Sequence, residues 1–245
     1  MLKSFINTDY PETIGSEEPG VIDAVLAIGL WLEHKNQFVS GPLEDEDFLQ
    51  YLQSLSLLAS NNPSPTLRYA AHSLVSLILH AHPVDRVRLT FISDTLEDCP
   101  YESLKASAVS WLKEEIITAQ ERKSENLFAS TAALTAVQPY LIPDNSALSE
   151  LGGEDLVHAL AQTFPFHMAV VNFLYFLGGK NFEHLVPPAM TAVVEEIYLG
   201  PLSRAQEKAL SVVRSGQEKE ADGIDAELRL LGERISMCLT QLEGK

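Results

Sequence analysis

Cysteine is nearly absent from this 245-residue chain: Cys99 and Cys238 are the only two. Two widely separated thiols build no disulfide framework and no Cys-x-x-Cys metal knuckle. Basic residues are also scarce, with 17 Lys and Arg against 34 Asp and Glu, a formal net charge of −17. Such a surface repels phosphate backbones and anionic lipids, so neither nucleic acid nor a membrane is expected as a partner. It suits another protein with a basic surface. Long apolar runs are missing too. The longest, Phe164 to Leu177, is interrupted by Pro165, His167 and Asn172. It falls short of the ~20 residues that cross a bilayer and reads as a buried helix. No signal-peptide pattern opens the chain, and no glycosylation sequon occurs. The expected compartment is the cytoplasm, with the nucleus as a second one.

Motifs that carry chemistry are equally sparse. There is no Gly-x-Ser-x-Gly, no Gly-x-Gly-x-x-Gly and no His-Glu-x-x-His. Gly178-Gly179-Lys180-Asn181 resembles the end of a phosphate loop. Leu174, however, stands where the first glycine is needed, and Asn181 replaces the final Ser or Thr. Of the seven histidines (His34, His72, His80, His82, His158, His167 and His184), only His80 and His82 are close in sequence. Glu114-Glu115 and Glu195-Glu196 are adjacent pairs, and helix neighbours do not share a face. Cys99 lies near an expected helix N-terminus, but Glu97 and Asp98 oppose its ionisation. No catalytic, cofactor-binding or metal-binding residue is therefore assigned, and no cofactor is expected. The rival reading is a small all-α enzyme with an acidic or histidine site assembled across helices.

What the chain does have is helical periodicity. Residues 1–18 are polar and turn-rich, and read as a flexible N-terminal segment. Residues 19–245 read as a single α-helical repeat domain, with a sub-boundary near 139–146. A helix is expected over Val21 to Leu32, a loop at Ser40-Gly41-Pro42, and a second helix opened by Glu44-Asp45-Glu46-Asp47. Pro65, Pro83 and Pro100 then recur at intervals of 18 and 17 residues, each placed to open a helix. Leu67 to Ala71 aligns with Leu104 to Ala108, and Leu74-Val75 with Trp111-Leu112, always 37 residues apart. A self-similar two-helix unit of that length points to a HEAT-like or armadillo-like solenoid of antiparallel helix pairs.

Further along, Pro139 and Pro143 close an alanine-rich helix, and Asp144-Asn145-Ser146 caps the next. Pro165 marks a turn, Gly200-Pro201 stops a helix, and Ser203-x-x-Gln206 forms a capping box. Ile224, Leu228, Leu231, Ile235, Cys238 and Leu242 follow at gaps of 4, 3, 4, 3 and 4, a heptad seam. Two uses are open to it: capping its own domain, or self-association through Ile224–Leu242.

The stretch from Asp98 to Glu115 contains Cys99, Pro100, Tyr101, Leu104, Lys105, Ala108, Trp111, Leu112 and Lys113. It resembles the YAP-binding/Alf4/glomulin family, most of all its fungal members. The resemblance implies an all-helical, HEAT-like, non-catalytic adaptor. Fungal relatives bind an AP-1-like transcription factor and promote its activation under peroxide stress, and some are linked to kinetochores. The glomulin branch binds a RING subunit of cullin ubiquitin ligases. A regulator of a stress-response transcription factor is thus implied first, and a RING-ligase binder second. No family binding residue maps onto a position here.

Overall fold

The computed structural model describes residues 19–35, 45–123, 125–216 and 221–243. Among them every regular element is helical and no strand occurs, as expected. Residues 1–18, the Ser40-Gly41-Pro42 loop and Glu44 lie outside the described residues. The chain divides into two compact units, Met1–Phe91 and Ile92–Lys245. The 139–146 segment, where the sequence placed a sub-boundary, lies inside the second.

The first unit contains α1 (Pro19–His34), α2 (Asp45–Asn61) and α3 (Pro65–Ala81). Pro65 sits in the first turn of α3, where its missing N–H costs nothing. Ala71, Leu74, Val75, Ile78 and Leu79 form the buried stripe of α3. That helix packs against both α1 and α2. Gly29 permits the approach of α1, because a Cβ there would lie 2.6 Å from Leu74 Cδ2. Asn62 stops α2 by accepting the Ser64 N–H at 2.9 Å, and Arg68 Nη1 donates to the Asn62 carbonyl at 2.8 Å.

α4 (Asp85–Asp98) begins two residues after Pro83, and α5 (Glu102–Glu121) two residues after Pro100. These prolines do not occupy first helical positions as expected. They act one step earlier: a residue before proline is held extended, and His82 is so held (φ −68, ψ 128), which ends α3. Tyr101, also extended, is the N-cap of α5.

The second unit adds α6 (Thr131–Leu141), α7 (Gly153–Leu177), α8 (Pro188–Val193), α9 (Gly200–Ser215) and α10 (Ala221–Glu243). α5, α9 and α10 all pack on α7. One helix is thus shared as a core, so the contacts establish helix packing and not a HEAT or armadillo order. α7 is long and apolar enough to cross a bilayer, yet Leu156, Leu160, Val170, Val171, Phe173 and Leu177 are buried in protein.

Four local expectations fail in this unit, each for a tertiary reason. Pro139 lies inside the last turn of α6 instead of after it. Pro165 does not turn the chain; α7 runs through it, with buried residues on both sides. Gly200-Pro201 does not stop a helix either. A π-helical turn (Val194–Leu199) joins α8 to α9, and the Gly200 N–H reaches back five residues to the Glu195 carbonyl. Proline 201 has no N–H for the Ile197 carbonyl four residues earlier. The Asn145 N–H donates to that carbonyl at 2.9 Å, and Asn145 Nδ2 donates to the Tyr198 carbonyl at 3.3 Å. Asn145 therefore supports the π turn and makes no side-chain cap. Ser203 and Gln206 lie within α9, where Gln206 Nε2 donates to the Leu228 carbonyl at 2.8 Å.

Two features of this core lead to measurable consequences. Leu228, Leu231, Ile235 and Cys238 of the heptad seam are all at most 2% exposed, on a helix that packs against α7 and α9. The seam caps its own unit. Leu231→Ala should lower the unfolding free energy in urea by about 2–5 kcal/mol. The second feature is His167, whose Nδ1 lies 2.9 Å from the buried Tyr198 hydroxyl. Burial pushes its pKa down to about 4. The unfolded chain then binds a proton that the folded one refuses. Stability is intact above pH 6.5 and falls by about 3 kcal/mol as pH drops toward 4. His167→Gln should flatten that loss in urea titrations at pH 7 and pH 5.

Candidate protein-binding surface

α4 ends badly by the rules of its own dipole. The C-terminus of a helix carries partial negative charge and favours cations. No basic residue lies in the last turn of α4, while Glu97 and Asp98 do. Asp94, Glu97 and Asp98 are spaced i, i+3 and i+4, so they share one face, and all three are exposed. Burial, with Asp98 and Glu97 beside it, raises the Asp94 pKa. The Tyr140 hydroxyl donates to Glu97, which raises the Tyr140 pKa. The three carboxylates form a negative ridge that local stability does not explain. Glu97 and Asp98, in the last turn, each oppose the dipole where a lysine would support it, and Asp94 lies one turn earlier.

The ridge continues into the turn before α5. Pro100 is exposed, and Tyr101 is 37% exposed. Cys99 accepts the Tyr101 N–H at 3.4 Å. Its thiol is nonetheless pushed up in pKa, because burial outweighs that hydrogen bond and the charge of Lys105. Cys99 therefore stays a thiol at neutral pH. Lys105 pairs with Glu102 at 3.8 Å.

The family-like residues thus divide into two sets. Leu104, Ala108, Trp111 and Leu112 are buried, on the helix that packs against α7. Lys113 lies half-buried with its Nζ 5.0 Å from the Phe176 ring. Cys99, Pro100, Tyr101 and Lys105 lie at or near the surface beside the ridge. Four of the nine motif residues are therefore a packing signature. Sequence reading missed Asp94 and Tyr140. The i, i+3, i+4 carboxylate spacing at a helix end was the available signal for the first; nothing local signals the second.

The remaining candidates do not converge. His82 packs on Phe48 with ring centroids 4.3 Å apart, and its Nδ1 accepts the Val84 N–H. His158 meets Gln162, and His184 meets Gln120. Glu115 is buried while Glu114 is exposed, so that pair points two ways. Glu195 and Glu196 are both exposed on the π turn. Among the described residues, no group of three or more His, Cys, Asp or Glu is placed to hold a metal ion. An apolar recess beside α10 is lined by Leu174, Leu177, Met190, Val194 and Leu242, with Cys238 in its wall. Burial pushes that thiol up to about 11, which leaves it protonated at neutral pH.

Comparison with known proteins bears on the fold and the motif together. A UPF0649 protein of Schizosaccharomyces pombe is 26% identical over 137 residues. The match covers 54% of this chain and 23% of that protein. This chain therefore corresponds to about a quarter of the relative's length. A profile of an uncharacterised protein family described as YAP/Alf4/glomulin matches residues 1–242, almost from end to end. An all-helical chain carrying the Asp98–Glu115 motif and matched over that length belongs to the YAP/Alf4/glomulin family.

Proposed function

We propose that this chain is a non-catalytic adaptor that holds a basic segment of another protein against the ridge of Asp94, Glu97 and Asp98. One observation carries the proposal. Three exposed carboxylates occupy a helix C-terminus whose dipole they oppose. A feature that lowers local stability yet serves steering and selectivity is typical of a binding surface. The overall charge of −17 adds a long-range field of the same sign. Tyr101 and Pro100 supply an apolar margin beside the ridge, as binding surfaces commonly do.

The partner we favour is a stress-response transcription factor of the AP-1-like class in a fungus, whose basic region is a chain of Lys and Arg. The family membership supports that choice, and the fission-yeast relative supports a fungal setting. A RING subunit of a cullin ubiquitin ligase is the second reading, supported by the glomulin branch of the same family. Either role places the protein in the cytoplasm, the nucleus or both.

The test combines a stability measurement with a binding measurement. Asp94→Asn, Glu97→Gln and Asp98→Asn together should leave stability unchanged within about 1 kcal/mol, since relief of the dipole at Glu97 and Asp98 offsets a weaker Tyr140 hydrogen bond. The same variant should lose about 10-fold or more in affinity for a bZIP basic-region peptide at 0.15 M salt, mostly through slower association. Pull-downs from oxidised and unoxidised fungal extracts then separate the two partners. Retention of a cullin–RING component without a bZIP factor selects the second reading. Retention of neither, or affinity unchanged in the triple variant, removes the ridge from any binding role.

A further inference from the structure

α1 is apolar on two opposite faces, and only one of them is covered. Ile22, Val25 and Leu26 are buried, and Gly29 abuts Leu74 of α3. On the other side Val21, Ala24, Ala27, Ile28 and Trp31 are exposed, with Ile28 at 44% and Trp31 at 57%. Positions 21, 24, 28 and 31 form one continuous stripe by helical spacing. Trp111, the other tryptophan, is 1% exposed. A surface helix of a soluble protein ordinarily turns charge outward. This one turns outward an apolar stripe flanked by opposite charges, Asp23 near its start and Lys35 just past its end.

We propose that this stripe is a self-association surface on which a second copy of the chain lays its own α1 antiparallel. The pattern of sizes and charges selects that partner and that direction. In an antiparallel pair centred between Ala27 and Ile28, Trp31 lies over the partner's Ala24, and Ile28 over the partner's Ala27. Large side chains meet small ones at these two steps, and Val21 faces the partner's His34, which lets the helices approach and interdigitate. Asp23 comes within about one turn, 5.4 Å along the axis, of the partner's Lys35. The twofold axis repeats each contact, and the helix dipoles run in opposite directions. A parallel pair would set Trp31 against Trp31, Asp23 against Asp23 and Lys35 against Lys35, with like charges together.

The stripe is short, about 24 Å for 16 residues at 1.5 Å each. A single helix face of that length buries less than the roughly 1,600 Å² of a standard stable interface, which sets the proposed dimer among weak, transient ones. The charge of −17 on each copy opposes it at low salt, and physiological salt screens that repulsion. The stripe shares no residue with the carboxylate ridge proposed for partner binding, and its test does not involve that ridge.

Sedimentation equilibrium on the intact chain at 0.15 M salt, from about 1 to 200 µM, reads the association directly. The mass should rise from 27.0 kDa toward twice that value. Trp31→Ala should weaken the dimer about 10-fold or more, as tryptophan anchors do. All the substituted side chains are exposed, so circular dichroism and urea midpoints should not change. Asp23→Lys alone and Lys35→Asp alone should each weaken association, and the two together should restore it. A mass of 27.0 kDa throughout, including one accompanied by Trp31 shielded from iodide quenching by another segment, overturns the proposal. So does a dimer indifferent to Trp31→Ala, or one that the double charge exchange fails to restore.

Discussion

The second unit depends on covering the apolar stripe of a proline-containing helix on both sides of the break. Pro165 removes one hydrogen bond from α7 and crowds the carbonyl four residues earlier, a cost of about 3 kcal/mol in an isolated helix. Leu156 and Leu160 before it, and Phe166, Val170, Val171, Phe173 and Leu177 after it, are all buried. Each such side chain contributes about 1.5–3 kcal/mol when removed from water. Burial on both sides therefore outweighs the break and holds the two halves as one helix. That requires coverage from several directions, and α5, α9 and α10 provide it. Sharing one helix among three others follows from this constraint.

The same logic governs the polar atoms that the core encloses. Proline at position 201 orphans the Ile197 carbonyl, and an unpaired buried carbonyl would cost about 1–3 kcal/mol. The Asn145 main chain fills that gap, its side chain serves the next carbonyl, and the π turn absorbs the shift in register. Tyr198, on that turn, meets His167 from α7. His167 of α7 is thus tied to the π turn through Tyr198, 31 residues on, and Asn145, which precedes α7, is tied to the same turn 53 residues on. Such contacts specify one register of α8–α9 against α7, because a slip of one residue would leave both ends unpaired.

This separates what was legible in the sequence from what was not. Helix identity was legible, and so was the inward face. The 37-residue match pairs Ala71 with Ala108, Leu74 with Trp111 and Val75 with Leu112, and all six are buried. The heptad seam foretold the buried stripe of α10. Proline and capping signals failed at 139, 165, 201 and 203 because they report only a local cost. Tertiary burial and distant donors offset that cost, and no window of neighbouring residues contains them. The serial order of a solenoid is left unconfirmed for a related reason. Self-similar helices state which side is apolar, but not which helix will cover it. At the candidate surface, Cys99 to Tyr101 were marked by the family motif. The ridge itself required knowing that α4 stops at Asp98, which placed its carboxylates at the wrong end of a dipole.

A consistent core therefore gives its exceptions their meaning. Within each unit the apolar stripes are largely covered, although Tyr51 Oη and Ser56 Oγ are buried without a hydrogen-bond partner among the described residues and Tyr69 is 74% exposed. Carboxylates at the end of α4 and tryptophan on the outer face of α1 are further exceptions. Lysine in place of Glu97, or glutamate in place of Trp31, would suit dipole and solvent better, at the cost of the Tyr140 hydrogen bond in the first case. These two exposed stretches, one electrostatic and one apolar, are the ones proposed for recognition, while the buried residues serve stability.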